Sequence, residues 1–215
     1  MRKITLVALL LVGIFLISSS TYKASSDMIT LYSYQSERGD AVFSRIVPNN
    51  NYESLEDIHL YAWTQQDILN VNRVALDFNT SEIAQDVVVK RAYLNLYFNP
   101  TSKYDKILGG KGSVGNVGFK IEVIDTEWNE KTVTWSTQPD VDPTLKAIFK
   151  KKKDSKANYL KLDITKLIQN MINKPVDQRY GLMLKLINEE PYNVYFFSSG
   201  NHPDVKLRPS LQIKY

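Results

Sequence analysis

Short runs in which apolar and polar residues alternate, separated by polar turns, set the fold of this chain. In residues 58–63, Ile58, Leu60 and Ala62 alternate with His59, Tyr61 and Trp63. In 73–78, Val74, Leu76 and Phe78 alternate with Arg73, Ala75 and Asp77, and in 90–98 Ala92, Leu94, Leu96 and Phe98 oppose Tyr93, Asn95 and Tyr97. A period of two puts one face of each run in a core and the other outside, which is a β-strand. Residues 40–47, 119–124, 159–164, 181–187, 194–198 and 210–215 extend the set. One stretch has helical spacing: Ile164, Leu167, Ile168, Met171 and Ile172 predict a helix over 165–173, with Asp163 or Thr165 as cap and Pro175 beyond its end. The pattern predicts an all-β, antiparallel β-sandwich with one short helix. It forms a single domain over 37–215, after a lead-in at 25–36. The Gly-rich stretch 109–118 lacks the Gly-Lys-Ser/Thr ending of a phosphate loop and lies between strands, so it reads as an edge loop or hairpin.

The residue inventory excludes several chemistries. There is no cysteine, hence no disulfide, thiolate nucleophile or cysteine-ligated metal. Two histidines, His59 and His202, cannot build a multi-histidine metal site, and no Gly-x-Ser-x-Gly nucleophile motif accompanies them, so surface or internally satisfied roles are expected. The formal charge of +4 is concentrated at the start of the chain. Arg2, Lys3 and Lys23 account for three of the 27 basic residues, and without residues 1–24 the balance is 24 basic to 23 acidic. Such a chain gives no bulk reason to expect nucleic acid or an anionic membrane as partner.

Arg2-Lys3, an apolar run from Ile4 to Ile17 and then Ser18-Ser19-Ser20 make the pattern of a secretory signal peptide, assigned to 1–24 with cleavage after Ser20 or Ala24. As a helix the run spans only ~21 Å, short of a ~30 Å hydrocarbon core. An uncleaved N-terminal anchor is the alternative, and either way the domain works outside the cytoplasm. With no cysteine after the run, a lipoprotein anchor is excluded.

The order of segments resembles the DNRLRE domain family, whose members include carbohydrate-binding modules of the family-96 type. The matching pieces are Gly39-Asp40-Ala41-Val42, the Asn49–Tyr52 turn, Arg73 to Phe78, Ala92 to Leu96, Leu162-Asp163-Ile164-Thr165, Tyr180-Gly181-Leu182, Phe197-Ser198-Ser199 and Arg208-Pro209-Ser210-Leu211. The most specific is Trp128-Asn129-Glu130-Lys131-Thr132-Val133-Thr134-Trp135 with Gln138-Pro139. The resemblance implies a jelly-roll sandwich, an extracellular setting and a non-catalytic role, often beside polysaccharide-degrading enzymes. It carries over no ligand residue.

Acids crowd at Glu122, Asp125, Glu127 and Glu130, but a glycosidase needs two carboxylates set across a cleft, and crowding along a chain is not that geometry. Asp40, Asn49, Asn50, Asp77, Asp125 and Glu127 are oxygen donors suited to a structural Ca²⁺ in sandwich loops, without an EF-hand pattern. Trp128 and Trp135 are expected to pack a corner. Lys150–Lys153 reads as a solvated loop. The binding candidates are aromatics on the polar side of strands: Tyr93 and Tyr97 around Asn95, and Tyr61 and Trp63. Rings stack on the C–H face of a pyranose while amides or guanidinium groups reach its hydroxyls. Arg73 is a further candidate, with a structural ion pair as its alternative role. The expectation is therefore a secreted, non-catalytic module that binds an extracellular polysaccharide, acidic glycans being slightly favoured by local lysines and arginines. The alternative is a structural or adhesive surface module contacting cell-envelope proteins.

Overall fold

The computed structural model describes residues 28–215. The leader assigned to 1–24 lies outside them, as does the start of the lead-in. Among the described residues, eleven strands form two sheets, and every strand pairing is antiparallel. The four-stranded sheet holds β1 (Ile29–Tyr32), β11 (Ser210–Lys214), β5 (Arg91–Leu96) and β8 (Tyr159–Asp163), in that order. The larger sheet runs β10 (Asn193–Ser198), β3 (Asp57–Gln65), β4 (Ile68–Leu76), β9 (Leu182–Leu186), β6 (Phe119–Ile124) and β7 (Val141–Phe149), and β2 (Asp40–Ser44) also pairs with β4. This is the all-β sandwich that the alternation predicts.

The alternating residues do what their period requires. Ile58, Leu60 and Ala62 of β3 share one core with Ala92, Leu94 and Leu96 of β5. Phe119 and Ile121 of β6 and Leu211 and Ile213 of β11 complete its two sides. The helix α2 (Thr165–Ile172) adds Leu167, Ile168, Met171 and Ile172. Burying one such side chain is worth ~1.5–3 kcal/mol, so the helix is held by its apolar stripe more than by its caps. Asp163 accepts from the Thr165 N–H at 3.0 Å and from its hydroxyl at 2.7 Å just before the helix, and these bonds hold the Asp163 carboxyl below its ordinary range.

Three elements depart from the sequence reading. Ile29–Tyr32, within the stretch read as a lead-in, is an edge strand paired with β11. β7 pairs only with β6 and leaves many of its side chains partly or fully in solvent, so it shows no clean alternation; its Pro143 is tolerated because an edge strand has unpaired N–H positions. A one-turn helix, α1 (Lys103–Ile107), stands beside the single helix expected; Ser102 caps it by accepting from the Asp105 N–H at 3.1 Å.

Two outer clusters give the larger sheet its shape. Trp128 lies over Ala41, Phe43, Ala75 and Met183, and its indole N–H donates to the Tyr180 carbonyl at 2.8 Å. The Trp-rich segment thus closes one outer face, as expected for corner packing. The chain turns away beneath it at Gly181, where a φ of +88° and the adjacent Leu76 carbonyl leave no room for a side chain. The second cluster, Phe98, Val194 and Phe196, backs onto Tyr61 and Trp63. The β3–β4 hairpin closes through Gln66 and Asp67, both left-handed at φ 50° and 63°, the two-residue geometry that suits strand twist.

Candidate functional site

The outer side of β3 carries an unbroken row of aromatic rings. Tyr104 of α1 lies against His59, with ring centroids 4.5 Å apart. His59 meets Tyr61 edge-on at 6.4 Å, Tyr61 stacks with Trp63 at 6.3 Å, and Trp63 meets Tyr192 edge-on at 5.1 Å. The row follows from alternation: residues 59, 61 and 63 must share a face when 58, 60 and 62 enter the core. Tyr61 and Trp63 are half-buried, and Tyr192, beyond β9, is exposed. Gln65 donates to the Tyr61 hydroxyl at 3.4 Å, and the hydroxyls of Thr64 and Tyr192 lie 3.2 Å apart at the far end.

Beside this row opens a cleft of about 380 Å³. One wall is His59 and Tyr61 of β3. The floor is Asn70 and Asn72 of β4 with Ser44 of β2, and the other walls are Ile46, Tyr52 and Leu55 from the loop after β2 and Tyr104 and Ile107 from α1. A second depression, about 420 Å³, shares Leu55, Tyr104 and Ile107 with the first and adds Glu56, Asp57, Thr101 and Lys103. The two form one groove, with Tyr104 and the 77% exposed Ile107 between them.

The polar groups of the cleft are of two kinds. Asn70 Oδ1 is filled from within, by the Ser44 hydroxyl at 3.2 Å and the Ile46 N–H at 3.1 Å. His59 Nδ1 and Asn72 Oδ1 are buried without a hydrogen-bond partner. Burial lowers the His59 pKa to about 4, so the imidazole is neutral over the ordinary pH range. His59 is therefore neither a surface nor a satisfied histidine, contrary to expectation. His202 is satisfied: its Nδ1 accepts from the Asp204 N–H at 3.1 Å, and its Nε2 lies 3.2 Å from Asn99 Oδ1.

The other candidates are placed elsewhere. Tyr93 is half-buried in the four-stranded sheet between Gln212 and Asp163, and Tyr97, also half-buried, follows the end of β5. Asn95 between them is 5% exposed; its Nδ2 donates to the Ser210 hydroxyl at 3.2 Å and its Oδ1 accepts the Lys161 N–H at 2.9 Å. Its amide serves strand registration, so that face lacks the amide it was expected to offer to hydroxyls. Arg73 makes a bidentate pair with Glu189 at 2.7 and 2.9 Å, donates to Gln138 at 3.0 Å and lies over the Trp135 ring at 4.7 Å. Its role is an internal ion pair, formed with Glu189 and not with Asp77 further along its own segment.

The acidic crowd disperses in the fold. Glu122, 1% exposed, sits 2.9 Å from both Lys120 and Lys185, Asp125 is 2.6 Å from Lys174, and Glu130 accepts the Asp40 N–H at 3.1 Å. The calcium candidates disperse too. Asp40 is bonded to Gly200 and Ser33, Asp77 to Ser36 and Arg38, and Asn49 accepts from Ser136. Among the described residues no group of three or more His, Asp or Glu side chains is arranged to hold a metal, so these donors do not fit a structural Ca²⁺. The lysine run is not simply solvated: Lys151 donates to the Ser113 carbonyl at 3.1 Å over the Tyr195 ring, and Lys152 to the Asn158 carbonyl at 2.7 Å over the Tyr159 ring.

Tyr52, Tyr104, Tyr192, Asn70 and Asn72 escaped the sequence reading. The asparagines fall in the part of β4 that precedes its recognised alternation, and the three tyrosines come from connections with no period to flag them.

An antiparallel sandwich with an aromatic row beside an open, uncharged cleft is the architecture of a ligand-binding module. The chain belongs to carbohydrate-binding module family 96, whose family model matches residues 31–215. No curated protein matches it. Among the described residues no helix is long and apolar enough to cross a membrane.

Proposed function

We propose that this chain is a secreted, non-catalytic module that binds polysaccharide along the outer side of β3, with Tyr61 and Trp63 as stacking platforms and the adjoining cleft holding one sugar residue. The observation that carries this reading is the aromatic row from Tyr104 to Tyr192 lying beside the largely apolar cleft that ends in His59 and Asn72. Family membership supports the carbohydrate, and the dispersal of the acids among lysine partners supports binding without bond cleavage. Export rests on the Arg2-Lys3 and apolar 4–17 pattern. The groove shared by the two depressions is long enough in outline for a chain and not only its end.

Affinity electrophoresis through gels containing single polysaccharides tests the site. Tyr61→Ala and Trp63→Ala are expected to lose most of the retardation, and Tyr93→Ala to keep it. Loss confined to Tyr93→Ala would move the site to the four-stranded sheet. A protein retarded by no polysaccharide would favour the alternative, a structural or adhesive module contacting envelope proteins.

A further inference from the structure

We propose that the cleft beside β3 receives an uncharged sugar, so that the polysaccharide held there is a neutral glycan and not a polyuronate. This rests on the reading that the β3 face is the binding site. Four observations carry it, and together they reverse the slight preference for acidic glycans drawn from local lysines and arginines.

First, no lysine, arginine, aspartate or glutamate lines the cleft. A carboxylate entering it would lose water and meet no cation, and an unpaired ion in such surroundings is strongly disfavoured. His59 does not supply the missing charge, because burial keeps it neutral.

Second, the unpartnered groups match hydroxyls. His59 and Asn72 are 5% and 6% exposed, and Nδ1 and Oδ1 respectively lack partners. Asn72 Oδ1 accepts only, so it needs a donor. A sugar hydroxyl donates and accepts, whereas an ionised carboxylate only accepts.

Third, the adjoining depression carries Glu56 and Asp57 against Lys103 alone. An acidic chain extending from the cleft would run along like charge. Fourth, the chain's densest cations lie elsewhere. Lys151 and Lys152 are tied to the carbonyls of Ser113 and Asn158, and none of Lys150–Lys153 lines either depression.

The test pairs neutral polysaccharides (a β-glucan, a mannan, a xylan and a galactan) with two polyuronates (alginate and polygalacturonate) in affinity gels of the full chain, each run with Tyr61→Ala and Asn72→Ala. The expected result is retardation by at least one neutral polysaccharide, weakened about tenfold or more by each substitution. It should be unchanged when the ionic strength is raised to roughly 0.5 M, where exposed charge pairs are screened. Polyuronates should bind at least tenfold more weakly. Polyuronate retardation equal to or stronger than neutral retardation, and weakened by Tyr61→Ala and Asn72→Ala, would overturn the neutral assignment and leave the site standing. Retardation untouched by either substitution, or none by any polysaccharide, would remove the site and this inference with it. Circular dichroism of Asn72→Ala guards against loss of fold, and Asn72→Ser, which restores a hydroxyl acceptor, is expected to recover part of the binding.

Discussion

Replacing Asp40 by asparagine should change how stability depends on pH, and by a predictable amount. Asp40 opens β2, is 3% exposed, and its Oδ2 accepts from the Gly200 N–H at 2.6 Å and the Ser33 hydroxyl at 3.3 Å. Burial above all, with the charge of Glu130 adding to it, raises its pKa to about 7 against an ordinary 3.8 despite those two bonds. Between 3.8 and about 7 the folded chain holds a proton that the unfolded chain has released. Stability from this group is therefore complete below 3.8 and is lost as pH rises to about 7, at ~1.4 kcal/mol per unit or up to ~4 kcal/mol across the window. His59 acts with the opposite sign. Its folded pKa of about 4 lies below the ordinary 6.5, so the unfolded chain takes up the proton first, and stability rises with pH over that range by up to ~3 kcal/mol. In the native chain the two slopes nearly cancel from about pH 4 to 6.5. In Asp40→Asn the side-chain oxygen still accepts from Gly200 and Ser33 while the titration is gone. The stability of the variant relative to the native chain should improve by ~3 kcal/mol between about pH 5 and pH 8. Urea unfolding followed by tryptophan fluorescence at the two pH values measures it. An equal difference at both would refute the argument that Asp40 is protonated in the folded chain at the lower pH.

Trp128→Phe removes the donor to the Tyr180 carbonyl while keeping most of the ring volume; it should cost ~1–3 kcal/mol in the same unfolding assay, and a change below ~0.5 kcal/mol would show that water replaces the bond. Excess EDTA should leave the thermal midpoint unchanged, since the candidate oxygen donors are dispersed and bonded to protein groups. A midpoint that falls on chelation and returns with Ca²⁺ would contradict this.

The alternation along 58–63 and 90–98 predicted the core faces of β3 and β5 because both strands bury one side against a single core. It failed for β7, which is exposed on a sheet edge and carries Pro143, and for β1, whose four residues are too few to display a period. The same alternation brought Tyr61 and Trp63 to one face. It had no means of finding Tyr104 or Tyr192, which reach that face through connections 41 and 129 positions from Trp63. Asn95 shows the converse. Its place between two tyrosines on the polar side was legible, but the Ser210 and Lys161 groups that occupy its amide are set by strand pairing across more than 60 residues. Arg73 likewise finds Glu189, 116 residues away, where local parity offered only Asp77.

The position of β11 governs when this molecule can assemble. Its residues Ser210–Lys214 lie between β1 and β5 and pair with both. Without them the first strand of the described chain has no neighbour and one layer of the sandwich falls apart. A nascent polypeptide in which residue 210 has not yet been added therefore lacks its keystone and cannot close the two layers. Export of the kind proposed above would draw on that delay, because a Sec-type channel takes its cargo unfolded.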